Sequence, residues 1–114
     1  MSKREGALRT YVHHNNRTAV LVEVSSDTDF VARNKQFLDF VDNLALHIAA
    51  LNPKSIEELK TQSWLLDDGK TVQDLVKEQN KLFKEAIEIV SFIRWTLDPE
   101  EVEKKKEENN NGTS

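Results

Sequence analysis

The stretch Thr18-Ala19-Val20-Leu21-Val22-Glu23-Val24 constrains this chain more than any other part of it. It is mostly apolar and rich in β-branched side chains, which suit an extended, half-buried backbone. Alternation puts Val20, Val22 and Val24 on one face. Three valines side by side need cover, so the stretch is expected as a strand inside a sheet or beneath a helix. Just upstream, Leu8, Thr10 and Val12 alternate with Arg9, Tyr11 and His13, again with a period of two. His14-Asn15-Asn16-Arg17 lies between the two runs, and asparagine tolerates positive φ, so the pair reads as a hairpin.

Beyond the second strand the pattern turns helical. Ser25-Ser26-Asp27-Thr28-Asp29 is a run of turn and N-cap residues ending in Phe30-Val31, and a helix is expected to begin near it. From Asn34, the residues Phe37, Val41, Leu44, Ala45, Ile48 and Leu51 recur at helical spacing, with Lys35, Asp39, Asp42, Asn43 and His47 opposite them. Asn52-Pro53 ends the run, because the residue before proline avoids the helical region. Ser55 and Glu58 fit a capping box for a short helix. Asp67-Asp68-Gly69-Lys70 reads as a turn, and Thr71 as the cap of a third helix running to about Glu85. Ile87 to Leu97 alternates as a final strand, with Phe92 and Trp95 on opposite sides. The order β-β-α-α-α-β predicts an α+β fold, a small antiparallel sheet with helices packed on one face. Residues 1–97 would form one core domain, and 98–114 a charged, disordered tail.

With 114 residues the chain suits a single core, and with no cysteine it can have no disulfide, thiolate metal site or cysteine nucleophile. The formal charge is −4, but residues 98–114 contain six acids and three lysines, leaving the body nearly neutral. A neutral body lacks the basic field that nonspecific nucleic-acid binding requires. No apolar run approaches the roughly 20 residues that span a bilayer. These features point to a protein or small-molecule partner, with no nucleic acid and no membrane.

Candidate chemistry is sparse. His13, His14 and Glu23 could suggest a metal site, but neighbouring strand residues face opposite ways unless the turn has already begun. His47, on the polar helix face without a second histidine one turn away, reads as a surface residue. Ser25, Ser26 and Thr28 with Asp27 and Asp29 lack a glycine-rich elbow or a nearby base, so capping explains them better than catalysis. Gly69-Lys70-Thr71 lacks the upstream glycine of a phosphate loop. No enzyme, cofactor or metal is expected. Phe30 carries two open readings. It is either a staple packing back on the first helix or a protruding aromatic anchor of the kind that dominates protein interfaces.

Val22-Glu23-Val24-Ser25-Ser26-Asp27-Thr28-Asp29-Phe30-Val31-Ala32-Arg33-Asn34 closely resembles the signature of the translation elongation factor Ts family, the guanine-nucleotide exchange factors of elongation factor Tu. Glu5-Gly6, Tyr11 to Asn15 and Ala45 to Pro53 resemble that family's first hairpin and helix end. Gln62-Ser63-Trp64, Gly69-Lys70-Thr71-Val72 and Phe92-Ile93-Arg94-Trp95 resemble its C-terminal half. The likeness covers about residues 5–97. Asp27 stands where Glu or Gln is usual, the family's N-terminal ubiquitin-associated-like module has no counterpart, and its long helical insertion is cut to the short stretch from Lys54 to just before Gln62.

The resemblance implies a dimerisation-type core domain that binds elongation factor Tu and promotes GDP release, with Thr28, Asp29, Phe30, Val31 and Arg33 at the contact. It implies a bacterial cytoplasmic or organellar location. The alternative it leaves is an assembly module of the same fold that has lost exchange. Phe92 and Trp95 are the candidates for a homodimer interface, since helices can cover only one side of so small a sheet.

Overall fold

The computed structural model describes residues 5–98. The tail expected from Asp98 onward therefore falls outside the described residues from position 99. Strand β1 (Glu5–Val12) and strand β2 (Thr18–Ser26) pair antiparallel, and Asn16 at φ 61° turns the chain between them. Next come a short helix α1 (Asp29–Ala32), the long helix α2 (Lys35–Leu51) and helix α3 (Ile56–Thr61). A hairpin of β3 (Ser63–Trp64) and β4 (Asp67–Thr71), helix α4 (Val72–Phe83) and strand β5 (Glu88–Thr96) complete the described residues. The main sheet has the order β1-β2-β5, with β2 in the centre.

The central position of β2 follows from its valines. Val20, Val22 and Val24 are buried beneath Phe37, Val41, Leu44 and Ile48 of α2. On β1 the helix-facing residues include Arg9, whose guanidinium forms a two-pronged pair with Asp42 of α2 at 2.6 and 2.9 Å. Such a fork fixes orientation as well as distance. Gly6, at φ 152°, sits so close to β2 that a Cβ there would meet the Val24 carbonyl oxygen at 2.3 Å, so no side chain fits.

Several local readings are corrected. The single helix start expected after Ser25 is two starts. Thr28 caps α1, and Asn34 caps α2 by accepting from Gln36 and Phe37 N–H at 2.8 and 3.3 Å. Ser55 caps α3, but the Glu58 carboxylate takes the N–H of Lys54 rather than that of Ser55. The complete capping box is at Thr71 and Asp74, whose mutual hydrogen bonds hold the Asp74 carboxyl below its ordinary pKa. The turn expected at Asp67 is the second strand of a hairpin. Helix α4 ends at Phe83 rather than Glu85, because Lys84 adopts the left-handed conformation at φ 57°.

His47 requires the largest correction. It is fully buried, not on the surface, because the β3–β4 hairpin folds over that side of α2. The imidazole stacks on Trp64 with centroids 5.3 Å apart. Nδ1 accepts the Leu65 N–H at 3.1 Å, which leaves the proton on Nε2 to be donated to Gln62 Oε1 at 3.0 Å. Both nitrogens of a neutral ring are thus used. Burial pushes the His47 pKa below 6.5, partly opposed by the bond to Gln62.

A bulge in β5 sets which side chains meet water. Val24 pairs with Ile89 and Glu23 with Ser91, so Val90 is the extra residue and the alternation changes phase there. Ile89 is buried, Phe92 packs against the core, and Ile93, Trp95 and Leu97 point away from the helices. Phe92 therefore leaves the candidate dimer surface, while Trp95, 71% exposed, remains on it.

Candidate partner-binding site

The segment between β2 and α2 combines caps at close spacing. Ser26 Oγ donates to the Thr28 carbonyl at 2.9 Å, turning the chain sharply after the strand. The Thr28 hydroxyl oxygen accepts the Val31 N–H and starts α1. In a helix of one turn, consecutive residues must point in different directions, and here they divide cleanly. Val31 is 3% exposed and joins the core, Ala32 is buried beside it, and Phe30 is 75% exposed. Of the two readings of Phe30, packing back as a staple is excluded by that exposure.

The remaining candidates divide between water and the core. Asp29 and Arg33, one turn apart, form an ion pair at 3.4 Å with both side chains largely in water. Exposed pairs of this kind contribute little to stability, about 0–1 kcal/mol. Both charges are therefore available to a partner. Val31, expected at the contact, has its side chain in the core, where it seats α1 instead. Thr28 is exposed, but its hydroxyl is already engaged as cap and donor.

A residue with no sequence signal completes the site. Glu85, just past α4, accepts the backbone N–H groups of Asp27 and Thr28 on Oε1 at 3.0 and 3.1 Å, and the Thr28 hydroxyl proton on Oε2 at 2.6 Å. Asp27 answers by accepting the Ala86 N–H on Oδ2 at 2.9 Å. The segment bearing Phe30 is tied in both directions to a connection nearly 60 residues away in sequence. Only because Lys84 ends the helix does Glu85 turn toward Asp27.

Nothing in this arrangement assembles a catalytic centre. The Ser25 hydroxyl lies near the Glu88 backbone carbonyl at 3.4 Å. His13 lies beyond the end of β1, its Nδ1 sharing a hydrogen bond with the Tyr11 hydroxyl, and its ring centroid is 4.2 Å from that of His14. Among the described residues no group of three or more His, Asp or Glu is placed to hold a metal ion. Among the same residues no helix is long and apolar enough to cross a membrane.

The profile of the family described as Elongation factor TS matches residues 1–58 and, overlapping them, 27–92. The chain belongs to the elongation factor Ts family. Elongation factor Ts of Trichlorobacter lovleyi is 42% identical over 94 residues, covering 82% of this chain and 30% of that protein. That of Clostridium kluyveri is 37% identical over 93 residues, with the same two coverages. That of Coprothermobacter proteolyticus is 30% identical over 138 aligned positions, covering 82% of this chain and 70% of its own length. The chain thus spans about 30% of the length of the first two elongation factor Ts relatives. Both segments matched by the family profile contain the Thr28 to Arg33 turn.

Proposed function

We propose that this elongation factor Ts chain is a translation elongation factor that binds the GTPase elongation factor Tu and promotes release of GDP. The observation that carries the reading is the 75% exposed ring of Phe30, held on a turn capped by Thr28, with the Asp29–Arg33 ion pair on the same short segment. A phenyl ring in water gains roughly 1.5–3 kcal/mol when a partner buries it. A charged pair on the same segment provides orientation. In this reading Asp29 and Phe30 press on the GTPase near its switch region, so that the contacts holding magnesium and phosphate loosen. Arg33 lies beside them, and Thr28 and Val31 hold the turn in place.

Such a protein acts without a catalytic group. A partner can shift the nucleotide equilibrium only by its differential affinity. By linkage, the factor by which the chain prefers the nucleotide-free GTPase equals the factor by which it weakens GDP. The working compartment would be that of the GTPase, the bacterial cytoplasm or an organellar matrix. The test is capture of elongation factor Tu by the immobilised chain. Strong capture of the nucleotide-stripped form and weak capture of the GDP-loaded form is expected. Equal capture of both forms would remove the basis for exchange.

The open side of the sheet favours self-association as part of the same reading. In register, Val12 lies beside Ala19 and Trp95, and Thr10 beside Leu21 and Ile93, so Val12, Leu21, Ile93 and Trp95 form one continuous exposed apolar surface. Surfaces of this kind are usually buried against something. At micromolar concentration the chain is expected to sediment as a homodimer, at twice its 13.1 kDa, and Trp95→Lys to return it to a folded monomer. A wild-type species of 13.1 kDa would count against the dimer.

A further inference from the structure

We propose that Glu85 is a positioning residue, a latch whose carboxylate holds the Asp27–Phe30 turn in its partner-ready conformation; this deepens the reading above and rests on it. Four hydrogen bonds cross between the β2–α1 turn and the α4–β5 connection, and Glu85 accepts three of them. One carboxylate oxygen takes two consecutive backbone N–H groups, which fixes the orientation of both peptide planes. The other oxygen takes the Thr28 hydroxyl proton, so the Thr28 lone pairs are left to accept the Val31 N–H that begins α1. The cap of α1 is thus oriented from outside by Glu85.

Charge strengthens the arrangement, since hydrogen bonds to an ionised acceptor are roughly twice as strong as neutral ones. Val31 and Ala32 seat the end of α1 in the core, but Asp27 to Phe30 are exposed and gain no such hold, and a one-turn helix has little stability of its own. Without the latch, Phe30 would sample many orientations and its ordering would be deferred to the moment of binding. Preorganisation avoids that cost, and Glu85 supplies it through its bonds to Asp27 and Thr28. Because the latch sits immediately beyond α4, the pose of Phe30 is also coupled to the end of that helix.

The experiment compares the wild-type chain with Glu85→Ala and Glu85→Gln, both free and with nucleotide-stripped elongation factor Tu. In the free chain, backbone ¹⁵N order parameters at Asp27 to Phe30 are expected to fall from rigid values of about 0.85 toward 0.6 in Glu85→Ala, with those of β2 and α2 unchanged. Glu85→Gln, which keeps one carbonyl oxygen for the two N–H groups, is expected between the two. Affinity for the GTPase is expected to fall about tenfold in Glu85→Ala, and Phe30→Ala to cost less in that background than in the wild type, as for residues of one coupled unit. Unchanged order parameters would overturn the latch whether or not the partner binds. A loosened turn with full affinity, or with a fully additive Phe30→Ala effect, would overturn its positioning role. Failure of the wild-type chain to bind would instead remove the proposed function, and with it the positioning role, while the order parameters still decide whether the latch exists.

Discussion

Phe30→Ala is expected to leave the stability of the chain within about 0.5 kcal/mol of wild type, the range of a surface substitution. The same change is expected to weaken the complex with elongation factor Tu by roughly 2 kcal/mol, or about 30-fold in dissociation constant. The contrast follows from the division of labour within α1. Phe30 lies in water while Val31, its neighbour, is in the core, so truncating Phe30 opens no cavity. Chemical denaturation and a binding isotherm on the same sample check both halves. A stability loss of roughly 3–5 kcal/mol would mean that the ring is buried in solution and acts as a staple.

Trp64→Ala is expected to have the largest effect on folding, a loss of roughly 3–5 kcal/mol, a large share of the 5–15 kcal/mol that holds a domain together. Trp64 is the anchor that lets the β3–β4 hairpin close over α2, between Phe40 and His47. Its removal also changes the response to acid. The folded-state pKa of His47 lies below its ordinary value of 6.5, so the unfolded chain takes up a proton that the folded chain refuses. Stability from this residue is fully present above pH 6.5 and is lost as pH falls below 6.5 toward the folded-state value. The wild-type denaturation midpoint is therefore expected to drop between about pH 7.5 and about pH 5. With Trp64 gone and His47 opened to water, that slope is expected to flatten. Equal slopes in the two proteins would show that Trp64 is not what shields the ring.

Elements with a period were readable in the amino-acid order, and elements held by a single distant contact were not. Val20, Val22 and Val24 identified the central strand, and the apolar spacing from Phe37 to Leu51 together with Asn52-Pro53 identified α2. The β3–β4 hairpin has no alternation to read. It depends on one tryptophan, and its second strand, Asp67–Thr71, is made of residues that usually form turns. Missing that hairpin made His47 look exposed, because the helical pattern alone shows one apolar face and cannot show a second layer. The bulge at Val90 likewise shifts the alternation of β5 with no glycine to mark it.

The site divides in the same way. The run from Ser25 to Phe30 announced a capped turn bearing an unexplained ring, and the fold places that ring in water. Glu85 gave no signal, since a glutamate after a helix is ordinary and a lysine rarely takes the left-handed turn that Lys84 takes. Val31 shows the converse error. A motif read as a unit does not say which of its residues serve the partner and which serve the core.

The most direct test of the account is the rate at which GDP leaves elongation factor Tu, followed by stopped-flow fluorescence with and without this chain. Release is expected to accelerate with chain concentration until it saturates, with Phe30→Ala needing much more chain to reach the same rate. Unchanged release at saturating wild-type chain, together with no complex on gel filtration, would contradict it.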